Sequence, residues 1–295
     1  MKKELTPKAD YLFEISWEVC HQVGGIYTVI KSKAARIYEL YKENYFLIGP
    51  YYEEEAAIKF DGKPVPKEFT KIFDELKKDN IICHFGQWTI DGIKVNTILI
   101  DSSKYLKKAN EIKSQLWKDF KVDSFNSNEA FDKFVVWGQI AGRLLEGLRK
   151  RLNGKIIAQF HEYISGTGLL YLKKNKVKIG TVFTTHATYL GRTLASSGIP
   201  LYDVIKKLKP QAEAHNYKIQ ARYSLEKAAA LNADVFTAVS DITALEAKYL
   251  IGKKPHLVLP NGLDISKFPA LEERAIKHNK FKKQIFDFAK VFFFP

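Results

Sequence analysis

Short apolar runs of strand length alternate with amphipathic helical stretches from one end of this 295-residue chain to the other. Such alternation predicts an α/β fold with a parallel sheet, because each helix carries the chain back across a sheet face before the next strand. Tyr11–Ile15 reads as the first strand, Gly24-Gly25 opens a helix to about Leu40, and Tyr45–Ile48 is the next strand. Residues 52–72 are charged and read as a loop-like insertion. Ile81–Phe85 and Val95–Ile100 read as a strand pair around the Asp91-Gly92 turn. Asn128–Leu148 predicts a long helix, with Phe131, Phe134, Val135, Ile140, Leu144 and Leu148 at helical spacing. Further strands follow at Ile156–Phe160, Thr181–Thr185, Val235–Val239 and Leu257–Leu259. Helices are expected over Tyr217–Leu231, after the N-cap residue Ser240, and over about Leu271 to Val291. No internal repeat or low-complexity segment interrupts the pattern. One Rossmann-like domain over residues 1–260, then a hinge and terminal helix over 261–295, account for the chain.

Charge and cysteine content narrow the function classes. The net charge is +14, which suits a polyanion, but the excess is 40 Lys against 7 Arg and is spread through the helices. A solvated lysine-rich surface explains that better than a nucleic-acid site, which would show an arginine stripe interleaved with aromatics. An acidic partner subunit is a third explanation. No apolar run approaches the roughly 18 residues a membrane span needs. The N-terminus lacks the apolar core of a signal peptide, so a cytoplasmic location is expected. Cys20 and Cys83 cannot build a disulfide framework or a metal site, and both read as buried free thiols. There is no Walker loop, no Ser/His/Asp arrangement and no Cys/His cluster, so neither a metal nor a cofactor is expected.

Four places carry residues suited to chemistry. Gly24-Gly25 lies between a strand and a helix, where glycine permits positive φ and lets a diphosphate approach the helix N-terminus; a structural turn is the alternative. His161-Glu162-Tyr163 ends a buried strand, so Glu162 is either a helix N-terminal acid or a group facing a cleft. Thr184-Thr185-His186-Ala187-Thr188-Tyr189-Leu190-Gly191-Arg192 gathers an imidazole, hydroxyls and a permanent cation at another strand end. In open α/β sheets ligands bind outside that end. Pro260-Asn261-Gly262-Leu263-Asp264 is a turn following the last strand.

The segment Phe13-Glu14-Ile15-Ser16-Trp17-Glu18-Val19-Cys20-His21-Gln22-Val23-Gly24-Gly25-Ile26-Tyr27-Thr28-Val29, taken with the stretch around His186, resembles the eukaryotic-type glycogen synthases. These are retaining glucosyltransferases with the two-lobed GT-B fold, and the likeness spans residues 11–291. It implies that the chain is the N-terminal lobe, with acceptor side and part of the donor site. It also implies that the Gly24-Gly25 loop borders the donor sugar nucleotide. Glu162 would meet donor or acceptor hydroxyls, His186 would meet the donor glucose, Arg192 would contact the donor, and Asn261 would belong to the hinge. His186 and Glu162 are then the catalytic candidates, and Gly24, Gly25, His186, Arg192 and Asn261 the donor-binding ones. Three positions depart from the pattern: Gln22 stands where the family has Lys, Tyr163 where it has Trp, and Tyr189 where it has Leu.

The implied partners are a nucleotide-glucose (UDP-glucose or ADP-glucose) and an α-1,4-glucan. The chain ends where the family's C-terminal donor lobe begins, which makes a separate C-terminal polypeptide the expected partner. Phe292-Phe293-Phe294 at the end would need a cover. A stand-alone glucan-binding module and a fragment without function are the competing readings. In the family, part of a glucose 6-phosphate site lies on the helix after the hinge. Its pattern falls here on Glu272, Glu273, Ala275, Ile276, His278 and Lys282, of which only Glu273, His278 and Lys282 match.

Overall fold

The computed structural model describes residues 6–262 and 268–293. The strands are β1 (Tyr11–Ile15), β2 (Tyr45–Pro50), β3 (Phe60–Gly62), β4 (Ile82–Ile90), β5 (Ile93–Asp101), β6 (Ile156–His161), β7 (Gly180–Thr185), β8 (Val235–Ala238) and β9 (Leu257–Val258). They form one sheet in the order β3-β4-β5-β2-β1-β6-β7-β8-β9. Every pair from β5 through β2 and β1 to β9 is parallel, while the β3–β4 and β4–β5 pairs are antiparallel. The expected Rossmann-like parallel sheet is therefore present, extended at one edge by a hairpin. The chain leaves β1 towards β2 on one side and returns to β6 on the other, so a topological switch lies between β1 and β6.

The helices are α1 (Gly25–Tyr41), α2 (Glu53–Lys59), α3 (Lys67–Lys78), α4 (Ala109–Phe120), α5 (Glu129–Arg149), α6 (Glu162–Lys174), α7 (Tyr189–Ser196), α8 (Leu201–Val204), α9 (Pro210–Asn216), α10 (Gln220–Asn232), α11 (Asp241–Glu246) and α12 (Leu271–Phe293). Strand alternation sorts side chains onto the two sheet faces. Phe13, Ile15, Phe46, Ile48, Ala158 and Phe160 face a large core built with α5 and α6. Leu12, Tyr45, Leu47 and Leu99 pack instead with Tyr27, Ile30 and Ala34 of α1. Glu14 has the parity of Leu12 and is fully buried on the α1 side.

Two expectations about elements are corrected. Residues 52–72 are not a loop: α2, β3 and the start of α3 occupy them. The charged surface of α3 hid Phe69, Ile72, Phe73 and Leu76, whose helical spacing delivers them to the core. The helix expected over Tyr217–Leu231 is α10 preceded by a separate α9 that starts at Pro210. Asn128 caps α5 by accepting from the Phe131 amide at 3.0 Å, and Ser240 caps α11 by accepting from the Thr243 amide at 3.1 Å. Cys20 is buried as expected, but Cys83, on β4 near the sheet edge, is only half-buried. Burial pushes the Cys20 thiol up to about 12, which makes it a poor nucleophile.

The chain divides into two compact units, Met1–Asn261 and Gly262–Pro295. The second contains α12, braced within itself by a Lys277–Glu273 ion pair at 2.6 Å and by Phe288 against Phe292. Leu263 and Asp264 of the hinge motif, and Phe294 and Pro295, lie outside the described residues.

Candidate functional site

Three chain segments leave the carboxyl ends of β1, β6 and β7 beside the switch point and meet at one cavity of about 380 Å³. Its lining includes Glu18, Gly24, Gly25, Glu162, His186, Arg192 and Asn261. All the residues expected at a site from the sequence therefore share one place, as the crevice rule for open sheets requires. A larger cavity, about 760 Å³, lies against Trp117, Phe120 and Tyr223. It holds none of the strand-end motifs, which argues against it as the reaction site.

At the β1 end, the Glu18 carboxylate accepts from the Gly24 amide at 2.8 Å and the Tyr27 amide at 3.0 Å. An internal anion thus satisfies two of the free donors at the N-terminus of α1. Among the described residues, the Gly25 and Ile26 amides have no protein acceptor. The sequence-based reason for the glycines needs correction. Gly24 has φ of −151° and Gly25 is not in the positive-φ region either. A Cβ on Gly24 would lie 3.1 Å from Glu18 Oε1, a tight contact with the group that braces this turn, whereas Gly25 has open space around it. Gln22 is exposed in the same loop.

At the β6 end, Glu162 has φ of +62°, a conformation that non-glycine residues rarely adopt and that clusters at functional sites. The turn directs Glu162 Oε1 to the amides of His186, at 2.7 Å, and Ala187, at 3.2 Å. One carboxylate oxygen is therefore committed to bracing the His186 loop. Burial raises the Glu162 pKa, and the His186 amide and Arg192 only partly offset that. Tyr163 is buried edge-on between Phe134 and Tyr189.

The loop from β7 to α7 is clamped from three helices. Glu162 of α6 holds its start. Glu226 of α10 accepts from the Thr185 hydroxyl at 3.0 Å and the Tyr189 amide at 2.9 Å. Glu246 of α11 accepts from the Thr188 hydroxyl at 2.6 Å and from Tyr202 at 2.8 Å. Burial first, and then the neighbouring Glu162, raises the Glu226 pKa. Thr188 in turn caps α7, accepting from the Gly191 amide at 3.2 Å. His186 is held neutral: burial, then His161 and Lys33, push its pKa down to about 3. Arg192 is exposed at the cavity and has no ion pair among the described residues.

Residues 14–295 match the family profile described as glycogen synthase. The chain belongs to the glycogen synthase family. It is 38% identical over 285 residues to the liver glycogen [starch] synthase of Rattus norvegicus, covering 96% of this chain and 40% of that protein. With the human liver enzyme the identity is 37% over 295 residues, covering 99% of this chain and 42% of the relative. With glycogen [starch] synthase of Dictyostelium discoideum it is 40%, covering 96% and 32%. The chain thus spans less than half the length of these glycogen synthases. Among solved structures, the trehalose 6-phosphate synthase of Burkholderia multivorans aligns with a TM-score of 0.44 at 13% identity, over 93% of this chain and 55% of that one. That likeness is too distant to carry an argument.

Reasoning from the sequence missed Glu18, Glu226 and Glu246. Glu18 stood inside the N-terminal motif, six residues before the glycine it binds. Glu226 and Glu246 sit on ordinary helices far along the chain, and nothing local marks them as buried. Among the described residues no group of three or more His, Cys, Asp or Glu is placed to hold a metal ion, and no helix is long and apolar enough to cross a membrane.

Proposed function

We propose that this chain supplies the N-terminal lobe of a GT-B glycogen synthase, which transfers glucose from a nucleotide-glucose to the non-reducing end of an α-1,4-glucan with retention. Residues 1–260 form that lobe in this reading, 261–295 the hinge and terminal helix, and a C-terminal lobe completes the donor site. The single observation that carries the reading is the convergence of Gly24, Gly25, Glu162, His186, Arg192 and Asn261 on one cavity, in a chain that belongs to the glycogen synthase family.

The chemistry follows from the groups present. In transfer the bond from the anomeric carbon to the diphosphate oxygen breaks. A bond to an acceptor hydroxyl oxygen forms, and the hydroxyl proton leaves with the diphosphate. Positive charge develops on the sugar and negative charge on the leaving group. Neutral His186 does not repel the first. The unpaired Arg192 and the free Gly25 and Ile26 amides suit the second. Stabilising a leaving diphosphate is the largest catalytic contribution in such a reaction, and on this reading most of the cations for it come from the C-terminal lobe. A cytoplasmic location, where the nucleotide-sugar and glucan are found, goes with the same reading.

The test is glucosyl transfer to glycogen, assayed with both UDP-glucose and ADP-glucose, by this chain alone and after mixing with a polypeptide carrying the rest of the family's length. Transfer is expected only in the mixture. Turnover by residues 1–295 alone, at a rate near that of a two-lobed synthase, would overturn the proposal.

A further inference from the structure

Behind His186 runs a buried line of side chains on the α1 face of the sheet. Glu14 of β1 accepts from the Tyr45 hydroxyl at 2.5 Å through Oε2 and lies 2.5 Å from the Lys33 ammonium through Oε1. His161 Nε2 is 2.7 Å from the same Oε1. His161 Nδ1 is in turn 2.9 Å from His186 Nε2. Glu14 and His161 are both buried.

The proton count of this line is constrained. Burial opposes the ionisation of Glu14, but Lys33 and His161 outweigh it and hold its carboxyl well below the usual carboxylate range. An ionised carboxylate only accepts, so His161 Nε2 must carry a proton. The ammonium of Lys33 already balances the Glu14 charge, so an imidazolium at His161 would be a second cation in a buried place. His161 is then neutral, its Nδ1 is a lone pair, and the 2.9 Å contact takes its single proton from His186 Nε2. The other charged groups facing His186 are Arg192 on α7, a cation that also disfavours charging the ring, and Glu162 on α6, whose Oε1 is taken by backbone amides.

We propose that Glu14 and His161 are positioning residues that fix the neutral His186 ring in the tautomer with its proton on Nε2, its Nδ1 lone pair left without a partner among the described residues. A ring in that state accepts a hydroxyl proton from a bound sugar at Nδ1 and adds no positive charge beside a carbon that is itself becoming positive. The sugar's identity rests on the function proposed above; the tautomer does not.

Ring proton positions are read from two-bond ¹H–¹⁵N correlations in the chain labelled with ¹⁵N-histidine, with His186 assigned by the loss of its peaks in His186→Gln. The expected result is one neutral Nε2–H tautomer, unchanged between pH 5 and pH 8. In His161→Phe the ring should become a tautomer mixture, with Nδ1–H populated beside Nε2–H. A merely structural role for His161 would lower the melting temperature without changing the tautomer. A proton on Nδ1 or on both nitrogens in the parent chain at pH 7 would overturn the proposal, as would an unchanged tautomer in the variant. If His161→Phe fails to fold, the parent spectrum alone decides. A correct tautomer, with no glucosyl transfer even after mixing with a polypeptide carrying the rest of the family's length, would sink the functional reading and leave this one standing.

Discussion

Buried carboxylates set the behaviour of this site residue by residue. Glu162 and Glu226 both have pKa values raised above the unfolded value, chiefly by burial, and the charge of Glu162 raises Glu226 further. A raised folded value means that the folded chain keeps a proton the unfolded chain releases. The stability from that source is present below the unfolded pKa and is lost as pH rises through the folded one. His161 and His186 act oppositely, because the folded chain keeps them neutral; stability rises as pH climbs from their lowered values to the unfolded one. Comparing Glu226→Gln with the parent separates the two. The amide can still accept from Tyr189 and donate to Thr185, and it carries no charge. Its melting temperature relative to the parent should therefore climb between pH 5 and pH 8, by about 2–4 °C; a flat difference in melts across that range would show that Glu226 does not titrate as argued. At the cavity itself, His186→Ala and Arg192→Ala, in a protein carrying both lobes, should each lower glucosyl transfer by about 100-fold, the scale of one lost transition-state contact. Circular dichroism should show both variants folded, and wild-type rates in both would place the site elsewhere.

Among the elements, the α5–α6 pair fixes how the strand ends are presented. Their backbones approach through Gly138 and Gly142 on α5 and Gly168 on α6. A Cβ on Gly168 would lie 2.7 Å from the Gly138 carbonyl oxygen, and one on Gly142 would lie 2.8 Å from that of Gly168. Backbone on both sides cannot yield as a flexible side chain would. Gly168→Ala should therefore cost about 1–3 kcal/mol, read as a lowered denaturant midpoint. A midpoint equal to the parent's would mean that the helices can separate without loss. The other element with a distinct expectation is α12. In the family resemblance its first turns correspond to part of a glucose 6-phosphate site, yet Glu272 stands in place of a potential cation, and Ala275 and Ile276 in place of amides. An acid repels phosphate, and each lost hydrogen bond costs on the order of 1–3 kcal/mol. The two-lobed enzyme is expected to show no activation by millimolar glucose 6-phosphate; a clear rise in rate, or in melting temperature, would refute this. Element boundaries were hardest to read where charge masks periodicity. In α3 lysines and acids fill the solvent face, so Phe69 and Ile72 fell within a stretch that reads as a polar loop.

For the whole molecule, the decisive feature is the switch point. Strand order is not written in any one segment: β1 neighbours β6 although more than a hundred residues separate them, and this pairing together with that of β6 and β7 brings Gly24, Glu162 and His186 to a single cavity. Local pattern was enough for the α/β class, the parallel strands, the cap at Ser240, and the motif residues at strand ends. Those features depend on short-range periodicity, on capping chemistry and on motif residues adjacent in sequence. Local pattern could not show that Glu18 already occupies part of the α1 N-terminus, or that Gly24 has an extended rather than a left-handed backbone. Nor could it reveal Glu226 and Glu246, which become partners of the His186 loop only when α10 and α11 pack against it. The state of the Glu14–His161–His186 line is of the same kind. Which sheet face a strand residue takes follows from parity, but whether a buried carboxylate there is ionised depends on an ammonium from α1 and an imidazole from β6. Side-chain identity and spacing are properties of the sequence. Desolvation and charge neighbourhood exist only once distant segments are in contact, and they set the protonation on which the chemistry of this site depends.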